Sequence, residues 1–494
     1  MTQCNTQAML FGQVGRRQTV ARFDGGWISS DGGALLLGEV ERQTRIIERF
    51  SGCFTDHRDP KRIEHPLAQL IGQRVLGLAL GYEDLNDHDA LRRDPLLATV
   101  LGCGDPLGAG RERASDRGKA LAGKSTLNRV ELTPVGASRS SRYKKIAFSI
   151  SAFDRMLVEV FLAAEAKAIR TAWRSARKAE RRGGKRRRRE WIVLDIDATD
   201  DPTHGKQLGR FFHGYYDCYC YQPLYITSGE HVLFARLRPG NVDAARGAIT
   251  AVSRVVHQIR ERHPGTPILL RGDSGFCREP LMRWCEENGV DYVLGLAKNK
   301  RLVKAIGRQL HEAKLACEQT GEAARRFTDL DYRTQKSWSR CRRVVAKAEH
   351  LPGERGENPR FVVTSIVAEQ IIAQTLYEKT YCARGDMENR IKEQQLGLFA
   401  DRTSCRAMRA NQVRLAMSTV GYTLMAALRR LGLAGTPMAG AQCSTIRVRL
   451  LKIGARVRIT ARKIWISLSQ SYPLQELFHM IHARLTAPPP ALGP

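Results

Sequence analysis

Residues 191 to 299 alternate between strand-like and helix-like segments, and this order constrains the fold more than any other feature of the chain. The run WIVLDID places Ile192, Leu194 and Ile196 on one face and Val193 with two aspartates on the other, which is typical of a strand. CYQPLYIT and HVLFARL follow and are separated by SGE, a pattern that predicts a β-hairpin. Three consecutive strands are therefore expected.

The segments after the hairpin predict alternating helices and strands. A helix begins at the capping residue Asn241 and ends at Pro264. PILLRGD then predicts a short buried strand, EPLMRWCEENG a helix and VDYVLGLAKN a further strand. The order is β-β-β-α-β-α-β, and because such a sheet needs helices over its faces, it predicts an α/β domain. This is also the element order of the ribonuclease H-like fold.

The rest of the chain divides by composition. With 494 residues the chain exceeds the size of a single core, so two to three domains are expected. We predict a mostly helical region at 1–150, a basic helix and linker at 151–190, an α/β region at 191–400 with a β-rich insertion at about 301–370, and a basic helical region at 401–494 with a disordered tail. A helix is expected from about Ala373 through Gln395.

The charge of the chain points to a polyanionic partner. The formal net charge is +30 and the sequence pI is near 10.1. Nucleic acid is the first candidate, and an anionic membrane surface is the weaker alternative. The apolar run from Leu415 to Leu428 is shorter than the roughly 20 residues that a membrane-spanning helix needs. The N-terminus shows no secretory signal, so no membrane partner is expected.

A cluster of five cations precedes the first predicted strand. It consists of Lys185, Arg186, Arg187, Arg188 and Arg189. A charge run of this kind can be a solvated linker or an arm that contacts DNA phosphates. Both interpretations remain open.

Two aspartates lie where predicted strands of the sheet end. Asp197 closes WIVLDID, and Asp273 closes ILLRGD. Because the carboxyl ends of the strands in an open α/β sheet form the crevice where ligands bind, both carboxylates are expected there. Carboxylate oxygens are preferred ligands of Mg²⁺. A third acid on the later helix would complete a site for two ions, with Glu388, Asp386 and Glu393 as candidates.

Neighbouring cations support Glu388 without settling the choice. Arg384 lies one helical turn before Glu388 and Lys392 one turn after it, so both could touch phosphates beside the ions. Ordinary explanations also exist, since Glu388 could be a solvated surface residue and Asp273 could cap a tight loop. Asp200-Asp201-Pro202 is typical of a turn.

Parity along the strand cannot distinguish Asp195 from Asp197, because both lie on the same face. Asp197 lies closer to the carboxyl end of the strand, so we expect it to bind the metal. Asp195 lies deeper, where a carboxylate is costly unless an arginine or a backbone N–H satisfies it. We therefore predict a supporting role for Asp195.

Other motifs carry weaker functional signals. GKALAGKS satisfies the P-loop pattern but lacks the buried strand that must precede it, so ATP binding is not expected. Cys53, His57 and His65 lack a fourth zinc ligand, and Cys218 and Cys220 have no further spaced ligands. Free thiols are expected. The Arg-Gly-Asp triplet at 271–273 ends a buried strand and is not an adhesion motif.

Longer motifs resemble those of a known enzyme family. They are LDIDATDDPTHG, FFHGYYDCYCYQPLY, LLRGDSGF, YCARGDMENRIKE, SSDGGALLL and GYEDLNDHDALRRDP. Together they resemble the DDE transposases of bacterial insertion sequences, in the insertion sequence 4-like group and most similar to the insertion sequence 1380 family. The resemblance covers essentially the whole chain. It implies a cytoplasmic, nucleoid-associated bacterial protein.

The resemblance also implies specific residues. It places the catalytic, metal-binding acids at Asp197, Asp273 and Glu388, and it maps the superfamily's Y-x2-R-x3-E-x6-K signature onto Tyr381, Arg384 and Glu388 as DNA-contacting and catalytic positions. The final lysine of that signature falls on Gln395, so either Lys392 substitutes or the phosphate contact is missing. Two Mg²⁺ ions are expected, with Mn²⁺ as a substitute.

These observations predict a transposase that binds the terminal repeats of its element, cleaves their ends and joins the 3′-OH to target DNA. Double-stranded DNA is the expected partner, and bringing two ends together implies a dimer or a larger synaptic complex. Two alternatives remain: a stand-alone metal-dependent nuclease of the same fold, and a domesticated, catalytically idle DNA-binding protein.

Overall fold

The computed structural model describes residues 8–132, 134–181 and 191–487. The predicted cation cluster at 185–189 and the tail from residue 488 onward lie outside these described residues. The strands are β1 (Met9–Val14), β2 (Arg17–Ala21), β3 (Trp27–Ser29), β4 (Phe54–Asp56), β5 (Ile146–Phe148), β6 (Ile192–Ala198), β7 (Asp201–Pro202), β8 (Phe211–His213), β9 (Cys218–Tyr221), β10 (Leu224–Ser228), β11 (His231–Arg236), β12 (Ile268–Gly272), β13 (Asp291–Leu296), β14 (Ala324–Tyr332), β15 (Arg342–Leu351), β16 (Gly356–Glu357), β17 (Arg360–Thr364), β18 (Ala455–Ile459) and β19 (Ile464–Leu468).

The α-helices are α1 (Ala34–Thr44), α2 (Ile46–Ser51), α3 (Leu67–Leu80), α4 (His88–Leu91), α5 (Pro95–Val100), α6 (Lys124–Glu131), α7 (Ile150–Arg181), α8 (Ala248–Arg262), α9 (Glu279–Glu287), α10 (Lys300–Ala305), α11 (Gly307–Thr320), α12 (Ala373–Thr375), α13 (Gly385–Lys392), α14 (Met408–Leu428), α15 (Cys443–Ile446) and α16 (Gln475–Thr486). Wide π-type turns at Leu376–Tyr381 and Glu393–Gly397 continue α12 and α13.

The chain forms two compact units. The central unit contains residues 150–395 and 401–416. The terminal unit contains the described residues before 150, together with 396–400 and those from 417 onward. None of the helices in the described residues is long and apolar enough to cross a membrane.

A large mixed sheet forms the centre of the central unit. Its order is β11-β10-β6-β12-β13-β17-β15-β14, with β16 paired to β15. β11, β10 and β6 are antiparallel, whereas β6, β12 and β13 are parallel. The strands and helices predicted between residues 191 and 299 are present in the predicted order. The predicted α/β class is therefore confirmed. Two details are wrong: α8 begins at Ala248 after the N-cap Gly247 and not at Asn241, and the segment CYQPLYIT is divided between β9 and β10.

Alternation along the strands separates the two faces of this sheet. Leu194 and Leu270 belong to one buried apolar cluster, in which Val252 of α8 and Met282 of α9 also lie. Leu269 and Val293 point the other way, into a cluster with Leu376 and Tyr377. Because both faces are covered, the parallel strands are apolar on both sides.

The region predicted as a β-rich insertion begins with the helices α10 and α11. Its strands do not form a sheet of their own. β17 pairs antiparallel with β13, and β15 and β14 continue outward from β17. The region thus extends the central sheet beyond β13.

The terminal unit corrects one prediction, because its C-terminal part is not purely helical. β18 and β19 form a hairpin, and β18 also pairs with β3 from the N-terminal part. The segment ARVRI alternates apolar and cationic residues, which suits a strand with one buried face.

The N-terminal motifs have a structural role in this unit. The carboxylate of Asp31 is buried, and it accepts a hydrogen bond from the hydroxyl of Tyr82 and pairs with Lys452, each at 2.6 Å. The N–H of Gly33 donates to the carbonyl of Leu451 at 3.0 Å. SSDGGALLL and GYEDLNDHDALRRDP thus contribute contacts that hold the N-terminal and C-terminal parts of the terminal unit together.

Replacing Gly33 with Ala should destabilise the terminal unit. Gly33 has φ −72°, so its backbone suits any residue, but a Cβ there would collide with the carbonyl oxygen of Leu450. We expect the free energy of unfolding to fall by about 1–3 kcal/mol, the usual cost of overpacking. Urea unfolding followed by circular dichroism measures this change. Gly104→Ala is the control, since a Cβ at Gly104 meets nothing within 4 Å. Equal stability of the two variants would contradict the prediction.

Candidate active site

Asp197 and Asp273 lie at the carboxyl ends of two adjacent parallel strands. Gly272, the last residue of β12, pairs in register with Ile196 of β6, so the residues that follow, Asp273 and Asp197, lie at the same level. On the other side Asp197 pairs with Tyr225 of β10. The Asp273 carboxylate accepts a hydrogen bond from the N–H of Gly275 at 2.9 Å. The strand ends thus place two carboxylates at one edge of the sheet.

Arg384 connects this edge to the third candidate acid. One of its nitrogens lies 3.2 Å from the carboxylate of Asp197, and another lies 2.6 Å from that of Glu388. The side chains of Arg384 and Asp197 are 15% and 14% exposed, whereas that of Glu388 is 48% exposed. The guanidinium therefore lies between a mostly buried acid of the sheet and a half-exposed acid of α13.

Electrostatics at this edge favour a bound cation. Burial raises the pKa of Asp197 to about 7, Arg384 opposes the rise, and the charges of Asp273 and Glu388 add to it. Burial acts against the charge of Arg384, but Asp197 and Glu388 outweigh it and raise the pKa of Arg384. Burial, and to a smaller extent the two neighbouring acids, thus disfavours the charged form of Asp197. A positive charge among them is stabilising.

Asp195 lies deeper and has a different partner. Its carboxylate is buried and accepts two hydrogen bonds from the guanidinium of Arg271, at 2.6 and 2.7 Å. Burial raises the pKa of Asp195, and Arg271 opposes that rise. Arg271 also donates to the carbonyls of Thr380 at 2.8 Å and Ala383 at 3.5 Å. This arginine fastens β6 and β12 to the helical segment that carries Arg384.

The remaining candidates from the sequence differ in exposure and in their contacts. Lys392 is exposed. Gln395, at the position of the signature lysine, donates from its side chain to the backbone carbonyl of Asp200 at 2.9 Å. Asp386 is exposed on α13. Gln395 therefore holds the loop after β6 by a neutral hydrogen bond.

The sequence predicts a turn at Asp200-Asp201-Pro202, whereas in the structure Asp201 and Pro202 form the short strand β7. Asp201 is buried, pairs with Tyr221 of β9, and its carboxylate accepts a hydrogen bond from Thr403 at 3.2 Å. Burial raises its pKa to about 8. The hydrogen bond from Thr403 and the pairing with β9 give Asp201 a structural role in the loop after β6.

Two tyrosines lie close to the acids, and sequence reasoning missed one of them. Tyr381, a predicted site residue, fits against Gly295, where a Cβ would lie 2.7 Å from its hydroxyl. Tyr216 was missed; its hydroxyl lies 3.5 Å from the carbonyl of Ala198. Burial raises the pKa of Tyr216, and the charges of Asp200 and Asp197 add to the rise. The aromatic run FFHGYYDCYCY was the available signal.

No three His, Cys, Asp or Glu side chains within the described residues converge closely enough to form a preassembled metal cluster. This holds for Cys53, His57 and His65, and for Cys218 and Cys220. Asp197 and Glu388 are held apart by the arginine between them. The described arrangement is a guanidinium that pairs with Asp197 and Glu388, with Asp273 at the neighbouring strand end.

Comparisons with known proteins place the chain in a family. A cryo-EM structure of a piggyBac transposase synaptic complex with hairpin DNA is similar at 10% identity and a TM-score of 0.40, over 93% of this chain and 83% of that one. No curated protein sequence matches the chain. The family model for "Transposase DDE domain group 1" matches residues 11–490. The chain belongs to this transposase family.

Proposed function

We propose that this DDE-family protein is an active DNA transposase of the insertion sequence 1380 group, which binds terminal repeats, cleaves the ends and joins the 3′-OH to target DNA. The catalytic acids are Asp197, Asp273 and Glu388. The single observation that carries this proposal is the bridge from Asp197 through Arg384 to Glu388, beside Asp273 at the ends of two parallel strands. Carboxylates at the carboxyl ends of strands are where an α/β sheet binds ligands.

The strand order supports a ribonuclease H-like core. An antiparallel trio, β11-β10-β6, continues into the parallel strands β12 and β13, and the chain visits them in the order that this fold requires. The strands β17, β15 and β14 would then be the β-rich insertion between the second and third acids. The proposed division keeps 1–150 for end binding, 191–400 for catalysis and 401–494 as a basic C-terminal region.

The donor set fits divalent ions of the Mg²⁺ type. All three donors are carboxylates, the oxygen ligands that Mg²⁺ and Mn²⁺ favour. Burial raises the pKa of Asp197 and the charges of Asp273 and Glu388 add to the rise, and the charge of a divalent ion would oppose both effects. Asp197, Asp273 and Glu388 would hold the ions, with Glu388 able to move because it is half exposed. When bound, the ions supply an activated water and neutralise phosphate charge.

The other residues position the acids and bind the substrate. Arg384 neutralises two of the acids in this structure, and its guanidinium is suited to bidentate contact with a DNA phosphate when cations take over that role. Arg271 and Asp195 fix the helical segment against the sheet. Lys392 is exposed one turn beyond Glu388, where it can contact the DNA backbone.

The partners follow from the chemistry. A chain of net charge +30 binds duplex DNA through its phosphates. The cations at 185–189 are proposed to add phosphate contacts. Joining two element ends to one target requires at least two protomers, so we propose a dimeric or larger synaptic complex.

Replacement of any one acid should abolish cleavage. Asp197→Ala, Asp273→Ala and Glu388→Ala each remove a proposed metal ligand, and we expect strand cleavage of an element-end duplex in Mg²⁺ to fall below detection. Cleavage is measured on a labelled duplex. DNA affinity should stay within about twofold of the wild type, because binding rests on basic residues elsewhere.

Glu354→Ala is the matched control, since Glu354 is an exposed acid of the same unit and is not a candidate metal ligand. Wild-type cleavage by one of the three alanine variants would remove that residue from the site. Retained cleavage by all three would refute the proposed chemistry.

The two aspartates of LDID should separate by metal dependence. We expect Asp197→Asn to be inactive even at high Mn²⁺, and Asp195→Asn to cleave measurably with a raised metal requirement, because the introduced amide would retain a partial hydrogen bond to Arg271. A readout independent of cleavage is the rise in melting temperature on adding Mn²⁺, since binding to the folded state stabilises it. That rise should be absent in Asp197→Asn and present in Asp195→Asn. The reverse pattern would show that the two roles are exchanged.

A further inference from the structure

The sheet β3-β18-β19 of the terminal unit has one buried and one exposed face. Along β18, Ala455 and Val457 are buried, whereas Arg456 and Arg458 are exposed. Successive side chains of a strand point to opposite faces, so this pattern fixes the orientation of the whole sheet. On the apolar face Ala455 and Val457 pack inward, whereas Trp27 and Ile464 on the same face are partly exposed. The cationic face is open to solvent.

Strand register determines what else lies on the open face. Arg458 pairs with Trp465 of β19, and Arg456 pairs with Ser467 on one side and with Ile28 of β3 on the other. Directly opposed residues share a face. Ile28 is 66% exposed and Trp465 is 47% exposed. The open face therefore combines two arginines with an exposed indole and an aliphatic side chain.

The turn of the hairpin adds two more cations to this face. Arg462 and Lys463 lie between β18 and β19, and both are exposed. The ammonium of Lys463 lies 5.3 Å from the centre of the Trp465 ring, and the guanidinium carbon of Arg458 lies 5.8 Å from it. Cations near an indole face are attracted to its π-electrons. Trp465 thus holds cations from the strand and from the turn together.

These four cations have no acid to balance them. Residues 455–468 contain four basic residues and no Asp or Glu. The acids nearest to β3 in sequence, Asp24 and Asp31, lie beside Arg22 and Lys452. Within residues 8–132, 134–181 and 191–487, no ion pair joins any of the four cations to a carboxylate.

Other cations of the same C-terminal segment have structural partners. Arg447 donates to the carbonyls of Ala79 and Leu78, and Lys452 pairs with Asp31. The segment thus contains cations that hold the terminal unit together and cations that nothing in that unit uses. A concentration of unpaired positive charge on an ordered sheet destabilises the free protein by self-repulsion and favours binding of a polyanion.

We propose that this open face, defined by Ile28, Arg456, Arg458, Arg462, Lys463 and Trp465, binds the phosphate backbone of duplex DNA. The proposal deepens the proposed function, on which it rests for the identity of the polyanion. β3 pairs only with Ala455–Val457, so the hairpin from Arg458 to Trp465 is a two-stranded ribbon. Such a ribbon fits the major groove of B-DNA, and cations on its surface and in its turn reach the phosphates.

The test compares the salt dependence of DNA binding. The probe is a fluorescein-labelled 30-base-pair duplex of arbitrary sequence in EDTA, and anisotropy gives the affinity at several salt concentrations. In the variant R456Q/R458Q/R462Q/K463Q the slope of log affinity against log salt should fall by about 3 to 4 units, at about 0.9 per lost contact. The matched control is K304Q/R326Q/K336Q/R355Q, which removes the same charge from exposed positions of the central unit. Its slope should change by less than one unit.

Equal slopes for the two quadruple variants would overturn the proposal. Binding of the wild type to anionic phosphatidylserine vesicles through these four residues, with no change in the DNA slope, would overturn it in favour of a membrane surface. If the quadruple variant melts at a lower temperature than the wild type, the turn variant R462Q/K463Q decides, with an expected fall of about 2 units. Asp197→Ala separates the two proposals: it should bind with the wild-type slope while failing to cleave. If the wild-type protein does not cleave DNA but the quadruple variant still shows the lower salt slope, the proposed function is contradicted and the DNA-binding face is not.

Discussion

The guanidinium of Arg271 is buried where β6, β12 and the helical segment 376–392 meet, and the arrangement of the candidate active site depends on it. It pairs with Asp195 of β6 and donates to the carbonyls of Thr380 and Ala383. Because a buried ion pair that loses one partner costs about 3–5 kcal/mol, the contact fixes the helical segment against the sheet. Arg384 and Glu388 follow on that segment, so the contacts of Arg271 determine their distance from Asp197. The pair positions the acids and takes no part in the proposed chemistry.

Charge is distributed so that acid and base have separate tasks. The acids concentrate at the carboxyl edge of β6 and β12, where burial and mutual repulsion raise the pKa of Asp197. Cations dominate elsewhere in a chain of net charge +30. A basic protein can hold the DNA backbone, but the same charge would not suffice to activate a phosphodiester for attack. Divalent ions held by the acids would supply the missing positive charge at the phosphodiester.

Local sequence patterns predicted much of this fold, and contacts between distant residues account for what they missed. The alternation in WIVLDID and the apolar runs after it predicted the strands around the site, because each pattern is contained in one element. The position of Asp197 at a strand end follows from the same pattern. The pairing of Asp195 with Arg271 joins residues far apart in sequence, and the triplet containing Arg271 suggested only a rejected adhesion motif. The β18-β19 hairpin was not predicted, because its many basic residues gave no clear strand signal. The position of Tyr216 beside the acids depends on how the loop after β6 folds back. Tertiary packing likewise determines which of several acids on one helix faces the sheet, so the sequence pattern alone could not identify it.

The most direct measurement of the central claim is the joining of a pre-cleaved, labelled element end to a plasmid in Mg²⁺. The 3′-OH of such an end needs no cleavage step, so the assay isolates strand transfer. We expect wild-type protein to produce plasmid that carries the covalently attached label, and Asp197→Ala to produce none. A protein that nicks DNA but never attaches the label would be a nuclease of the same fold, and one that binds the end without either reaction would be a DNA-binding relic. Either result would contradict the account.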